Sequence, residues 1–408
     1  MLAISLGWRR DGRSWIDVGL YAEWARAVFT GDVPGHPLDE YPPLARLVLL
    51  LFGWTPSSVF YAATFIAAMA AVDLLFLRVV LNASRANHGS DIAVLLWIVA
   101  PALLGGLLWT RFDLLPAVAA ACALGTRPSS ARRGAWLGIA AALKLWPIVL
   151  LPSILILGRR PRRALGAVIV CSLLGVVLPA LVVPGDTWGA VTWTLDRGLH
   201  IESLAGSLFA LSALLGNDVS SEFTFGAYQV TAHGTGAAAV LSGLLGIGVG
   251  IAVVASLRGL AATDRDQRAR VAGLALVTAM LLSSKVLSPQ YLVWIVAPAA
   301  MVLATVTTRR PRWIAGLIVV TCAMTHLVYP LLYTELVEFR PVGVAALLVR
   351  NGLLLGLAVV LLLELRPRVS RTGPSAAHEG AHRPPAMSIA PPPSSDRVSP
   401  VATRVRRR

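Results

Sequence analysis

The chain has 408 residues, 56% of them apolar and 14% charged, with a mean hydropathy of +0.71. That balance excludes a water-soluble globular domain and fits a protein that spans a membrane many times. A net charge of +15 would suggest nucleic acid in a soluble protein; here the cations fall between apolar stretches, which the positive-inside rule explains without any nucleic-acid partner.

MLAISLGW, followed by Arg9 and Arg10, is too short and wrongly charged for a cleavable signal. Residues 1–56 read as a first outer loop. Within DVGLYAEWARAVFTGD, Asp17, Tyr21 and Trp24 follow i, i+4, i+7 and share one face of a helix beginning near Asp17. An acid there can cap the helix, or serve as general base toward a hydroxyl. Tyr21 and Trp24 can stack on a sugar or anchor in the interface. A Gly-Asp exit, then EYPPL with Tyr41, then the amphipathic ARLVLLLFGW predict a turn and a short interfacial helix. Only 16 residues precede Asp17, too few for a span that would place the N-terminus inside. The expected explanation is a start downstream of the true one.

A span needs about 20 largely apolar residues. Candidates are 57–81, 92–110, the short 112–125, 164–184, 236–257, 269–287, 291–307, 313–330 and 342–365, so the fold class expected is all-α and polytopic. The transmembrane body then covers 57–365 and includes a large outer loop at 185–235. The stretch 134–157 is flanked by arginines on both sides, Arg127, Arg132 and Arg133 before it and Arg159 to Arg163 after it. With Pro147 and Pro152 as breaks, it reads as a re-entrant helical hairpin with Lys144 near its tip. The arginine clusters then all face the cytoplasm, whereas the outer segments hold most of the acids. Residues 366–408, rich in Pro, Ser and Arg, read as a disordered basic cytoplasmic tail.

Lys144 and Lys285 are the only lysines among 36 basic residues, and both sit in apolar strings, AALKLWP and SSKVLSPQYLVW. An ionisable group at the bilayer centre costs roughly 2.5–3.5 kcal/mol and is by default a site hypothesis, against the alternative that the chain snorkels. Either ammonium can neutralise a phosphate as a compact charge. In WTRFDLLPA, Arg111 and Asp113 either pair with each other or leave Arg111 free to fork a phosphate oxygen. Arg197, His200 and Glu202 in DRGLHIESL, and His326 in THLVYP, lie on the outer side and are candidates for substrate contact. Cys122, Cys171 and Cys322 lie in apolar runs without metal or disulfide spacing. No metal-ligand cluster, P-loop or dinucleotide fingerprint is present, so no cofactor is expected. Gly-rich GLLGIGVG reads as a close-packing helix face.

Asp17 with Tyr21, then YPPL, RFDLLPA, GIAAALKLWP, RGLHIESL and SSKVLSPQYLVW occur in order over residues 16–340. Together they resemble the actinobacterial family 87 glycosyltransferases, integral membrane enzymes of the GT-C class. The resemblance implies a plasma-membrane transferase that takes a sugar, usually mannose, from a polyprenyl-phosphate donor on the outer face and passes it to a glycolipid or glycan acceptor. It also implies that Asp17 is the catalytic base. Lys144, Lys285, Gln290 and His326 match by neighbourhood only, Tyr291 is a further candidate for substrate contact, and the span expected before Asp17 is missing. An inverting transfer fits these residues, with Arg111, Lys144 or Lys285 stabilising the departing lipid phosphate. An arabinofuranosyl donor, or a lipid flippase lined by the buried cations, are the competing readings; no inverted repeat supports the last.

Overall fold

The computed structural model describes residues 16–32, 38–87, 91–125, 129–157, 159–258 and 262–366. The expected tail beyond Arg366 and the residues before Ile16 lie outside them. Three helices run through the first loop and into the body: α1 (Ile16–Thr30), α2 (Pro43–Leu50) and α3 (Ser58–Ala86). They are followed by α4 (Asp91–Leu104), the single turn α5 (Leu107–Thr110), α6 (Leu114–Leu124), α7 (Ser130–Leu143), α8 (Leu151–Leu157) and α9 (Pro161–Ala180). After the loop 185–235 come α12 (Thr235–Ala255), α13 (Ala262–Ser283), α14 (Val293–Thr305), α15 (Pro311–His326), α16 (Tyr333–Val337) and α17 (Pro341–Glu364). The starts follow helix-end chemistry. The hydroxyls of Ser57, Ser129 and Ser203 accept from backbone amides three residues on. Prolines open α2, α9, α15 and α17, where their missing N–H costs nothing.

Among the described residues, five helices are long and apolar enough to cross a membrane: Ser58–Ala86, Pro161–Ala180, Thr235–Ala255, Pro311–Leu331 and Pro341–Glu364. Further apolar helices are shorter, among them Asp91–Leu104, Leu114–Leu124 and Pro289–Thr305. The chain is a helical, multi-pass membrane protein. Its hub is α14, in which every residue from Val293 to Ala304 is buried. At the periphery, α12 buries only Val253. Its Gly246 faces Ser283 and its Gly250 faces Leu276 of α13, while Gly243 and Gly248 face open space. The glycine-rich face is therefore close-packed on one side only.

The stretch 130–157 does not run as one helix. Lys144 ends α7 with extended backbone, and a 3₁₀ turn, Trp146–Leu150, opens with Pro147 at its second residue before α8 begins. The backbone N–H of Arg160 donates to the hydroxyl of Ser130 at 3.1 Å, so the segment ends beside the point where it starts. Gly134 and Gly138 in α7 lie against the backbone carbonyls of Ala164 and Val168 in α9, a GxxxG-type approach that a side chain would block.

The loop 185–235 is more structured than an all-α reading provides for. It carries α10 (Gly189–Asp196), β1 (Leu199–His200), α11 (Leu204–Leu214), β2 (Ser220–Thr224) and β3 (Ala227–Thr231), the strands forming an antiparallel sheet in the order β1-β3-β2. Glu222 pairs with Gln229, and His200 lies across from the same residue. Arg46, fully buried in α2, ties the first loop to this one: it donates to Asp39 at 3.0 Å and to the carbonyls of Pro184 and Asp186 at 2.9 Å.

Candidate active site

Two acid–base pairs meet where α1, the turn after α5, and the tip of the 130–157 segment converge. The first joins Asp17, in the opening turn of α1, to Arg111 just after α5. Burial pulls the Arg111 guanidinium below its ordinary range; Asp113, Tyr291 and a hydrogen-bonding Tyr329 act the other way. The second joins Asp113 to Lys144, with Nζ 2.6 Å from Oδ1. The same oxygen accepts the indole N–H of Trp294 at 2.8 Å. The Lys144 ammonium also stands 5.0 Å from the Tyr291 ring centre and 5.1 Å from that of Trp294. Trp146, Trp294 and Tyr291 form one near-parallel stack, with centroid spacings of 4.9 and 3.9 Å. The cation is thus held between a carboxylate and two aromatic faces. Gln290 and Asp113 line a narrow crevice with Leu104, Leu107, Leu108 and Val293.

The mutual Arg111–Asp113 pairing is replaced by two separate pairs, because the turn points the two side chains at different helices. Tyr21 and Trp24 do share the face predicted, but both are 1% exposed. Tyr21 instead shares a 2.6 Å hydrogen bond with the Tyr41 hydroxyl and packs on Phe65, and Tyr41 stands edge-on to Phe112. Tyr21 and Trp24 therefore present no free face to a sugar, whereas Tyr41 is half-buried. His326 lays its ring over Gly105, and its Nδ1 is buried without a hydrogen-bond partner.

Lys285, His200 and Glu202 form a different cluster. Lys285 Nζ donates to the carbonyls of Leu195 and Arg197 at 2.8 and 2.6 Å, closing the C-terminus of α10. Its own carbonyl accepts the His200 amide at 2.9 Å. The His200 imidazole is driven down to about 3 by burial, with repulsion from Arg197 and Arg350, so it stays neutral while Nδ1 accepts the Glu202 amide at 3.3 Å. Glu202, 1% exposed, is pushed up to about 7 by burial despite Arg350. Arg350, fully buried in α17, donates to the Glu202 carbonyl at 2.6 Å and stands 3.6 Å from its carboxylate. This cluster bolts the loop 185–235 to α17.

Three residues escaped the sequence reading: Arg350, Tyr329 and Trp294. Arg350 carried the signal that singled out the lysines, a charge inside an apolar run. Tyr329 and Trp294 carried none, since aromatic residues near span ends are common in any membrane protein.

A model of the family described as Glycosyltransferase family 87 matches residues 40–289. No curated protein and no solved structure matches. The matched segment covers more than half of the chain and contains Arg111, Asp113, Lys144 and Lys285; Asp17 and His326 lie outside it. The chain belongs to glycosyltransferase family 87 and is a membrane-embedded glycosyltransferase.

Proposed function

We propose that this transferase takes mannose from a polyprenyl-phosphate-mannose donor and passes it, with inversion, to a hydroxyl of a glycolipid or glycan on the outer face of the plasma membrane. The observation that carries the reading is the Asp17–Arg111 pair set beside the Asp113–Lys144 pair. A general base and two cations thus stand together at the end of the bundle remote from the arginine clusters. In the free enzyme Asp17 is occupied by Arg111. A donor phosphate offers that guanidinium a bidentate partner of higher charge, which leaves the Asp17 carboxylate to take the acceptor proton. The acceptor oxygen then attacks the anomeric carbon as the bond to the phosphate oxygen breaks. Arg111, with Lys144 close by, balances the charge growing on the leaving lipid phosphate, which departs unprotonated. Lys285 and the His200–Glu202 pair hold the loop above.

The orientation rests on the positive-inside rule. Nine segments (α3, α4 with α5, α6, α9, α12, α13, α14, α15 and α17) are read as crossings, and 130–157 as a hairpin entering from the cytoplasmic side and returning to it. Lys144 at its tip then reaches the outer half of the bilayer, where a lipid phosphate would lie.

Membranes given polyprenyl-phosphomannose labelled in the sugar test this reading. Transfer of label into glycan or glycolipid is expected from the wild type. Asp17→Asn should lower turnover by about 10²–10⁴-fold at unchanged expression. An Asn variant with wild-type transfer overturns the base assignment; label accepted only from polyprenyl-phosphoarabinose overturns the sugar.

A further inference from the structure

α3 carries one acid along its length, Asp73, midway between Ser58 and Ala86. Its partners are two neutral indoles rather than a cation: Trp97 Nε1 donates to Oδ1 at 2.9 Å and Trp109 Nε1 to Oδ2 at 3.2 Å. One carboxylate thereby joins three elements, α3, α4 and the single turn α5. A carboxylate inside an apolar helix is costly, and an apolar trio would pack there at less expense, so the expected return is a fixed geometry rather than stability.

What is fixed is the mount of Arg111. The turn Leu107–Thr110 hangs from α4 by Gly105 and Gly106. Gly105 has φ +61°, which only glycine takes without strain, and the His326 ring lies close enough that a Cβ there would sit 3.5 Å from it. A four-residue helix behind two glycines has little stiffness of its own. Its outer anchor is the Trp109 indole, two residues before Arg111.

We infer that Asp73 is a positioning residue for the transfer site: through Trp109 it sets where the Arg111 guanidinium stands relative to Asp17. Trp97, 1% exposed and packed edge-on against Phe76 at 4.6 Å, occupies the other carboxylate oxygen, and that bond does not reach the turn that carries Arg111. The functional half of this inference rests on the reading of Arg111 as the donor-phosphate ligand; the tether itself does not.

Two measurements keep those halves apart. In protein labelled with 5-fluorotryptophan, the ¹⁹F resonances of Trp97 and Trp109 are assigned by their loss in Trp97→Phe and Trp109→Phe. Asp73→Leu should shift both resonances; if neither moves, the tether is overturned whatever the substrate. In transfer assays with polyprenyl-phosphomannose, Asp73→Leu and Trp109→Phe should raise the donor KM by about ten-fold, the scale of one hydrogen bond to a charged group, with kcat within about two-fold. Asp73→Asn keeps one carbonyl acceptor and should recover part of that loss. Trp97→Phe, which leaves the Trp109 bond in place, should stay within about two-fold of wild type. An equal rise in Trp97→Phe, or no rise in Trp109→Phe, overturns the positioning role. A wild type inert toward this donor, with the ¹⁹F shifts intact, removes the donor reading and leaves the tether standing.

Discussion

The two ends of the bundle use most of their cations in opposite ways. At one end arginines close helix C-termini: Arg133 donates to the carbonyl of Ala123 at 3.0 Å, Arg270 to Leu124 at 2.9 Å, and Arg268 to Leu365 and Arg366. There a guanidinium satisfies orphan carbonyls and sits at the negative end of the helix dipole. At the other end cations meet carboxylates: Arg111 with Asp17, Lys144 with Asp113, Arg46 with Asp39 and Arg350 with Glu202. A buried ion pair contributes little net stability once desolvation is counted. Four pairs gathered at one end therefore signal geometry held for another purpose, while the arginine end signals anchoring. Two residues depart from this pattern: at the arginine end Arg310 stands 3.4 Å from the Glu364 carboxylate, and the other is Lys285. It stands at the acid-rich end yet behaves like the arginines, capping α10.

The contrast can be broken in order of expected effect. Lys144→Met strands the buried Asp113 charge and should cost roughly 3–5 kcal/mol, read as unfolding in detergent. Adding Asp113→Asn should recover a large part of that loss. A double variant no more stable than the single one would show that the pair is uncoupled.

Next comes the loop bolt, which is pH-sensitive in two directions. Glu202, raised to about 7, contributes stability that is full below its unfolded value of about 4.3 and is lost as pH rises toward 7. His200, lowered to about 3, contributes stability that is full above its unfolded value of about 6.5 and is lost as pH falls toward 3. Between about pH 4.5 and 6.5 the two slopes oppose each other. Glu202→Gln should therefore uncover a stability that falls as pH drops, and His200→Gln one that falls as pH rises, each by up to about 3 kcal/mol. Parallel profiles in the two variants would contradict the assignment.

The smallest effects belong to the caps. Arg133→Gln and Lys285→Met should each lower stability by about 1–2 kcal/mol and leave the donor KM within about two-fold of wild type. A large rise in KM for Lys285→Met would return that residue to the phosphate site.

Much of the fold was legible in the sequence, because apolar length, arginine spacing and Pro147 are local signals. They predicted the five long apolar helices, several of the shorter ones and the break at Lys144, and they placed a helix at Asp17. The small sheet was harder to see. Ser220–Thr224 and Ala227–Thr231 are short, and the hairpin turn between them uses Phe225 at φ +52° before Gly226, outside the usual Asn-Gly signature. The pairing of charges was not legible at all. Arg111 and Asp113 are neighbours in sequence, yet their partners lie 94 residues back at Asp17 and 31 residues on at Lys144. Only the packing of α7 on α9 and of α1 against α3 decides that. The helix-end contacts of Lys285 were hidden for the same reason: a lysine in an apolar run looks identical whether it faces a phosphate or a helix end. Asp73 and Arg350 were visible by the rule that picked out the lysines, a charge inside an apolar helix, once that rule is applied to every ionisable residue.

The central claim, that transfer chemistry belongs to the acid-rich end, is tested most directly by one assay on two variants. Membranes carrying Asp17→Asn or Arg133→Gln at matched expression are given sugar-labelled polyprenyl-phosphomannose, and label in product is measured. The account predicts loss of about 10²-fold or more for Asp17→Asn and near-wild-type transfer for Arg133→Gln. Wild-type transfer by Asp17→Asn, or its loss in a folded Arg133→Gln, would contradict it.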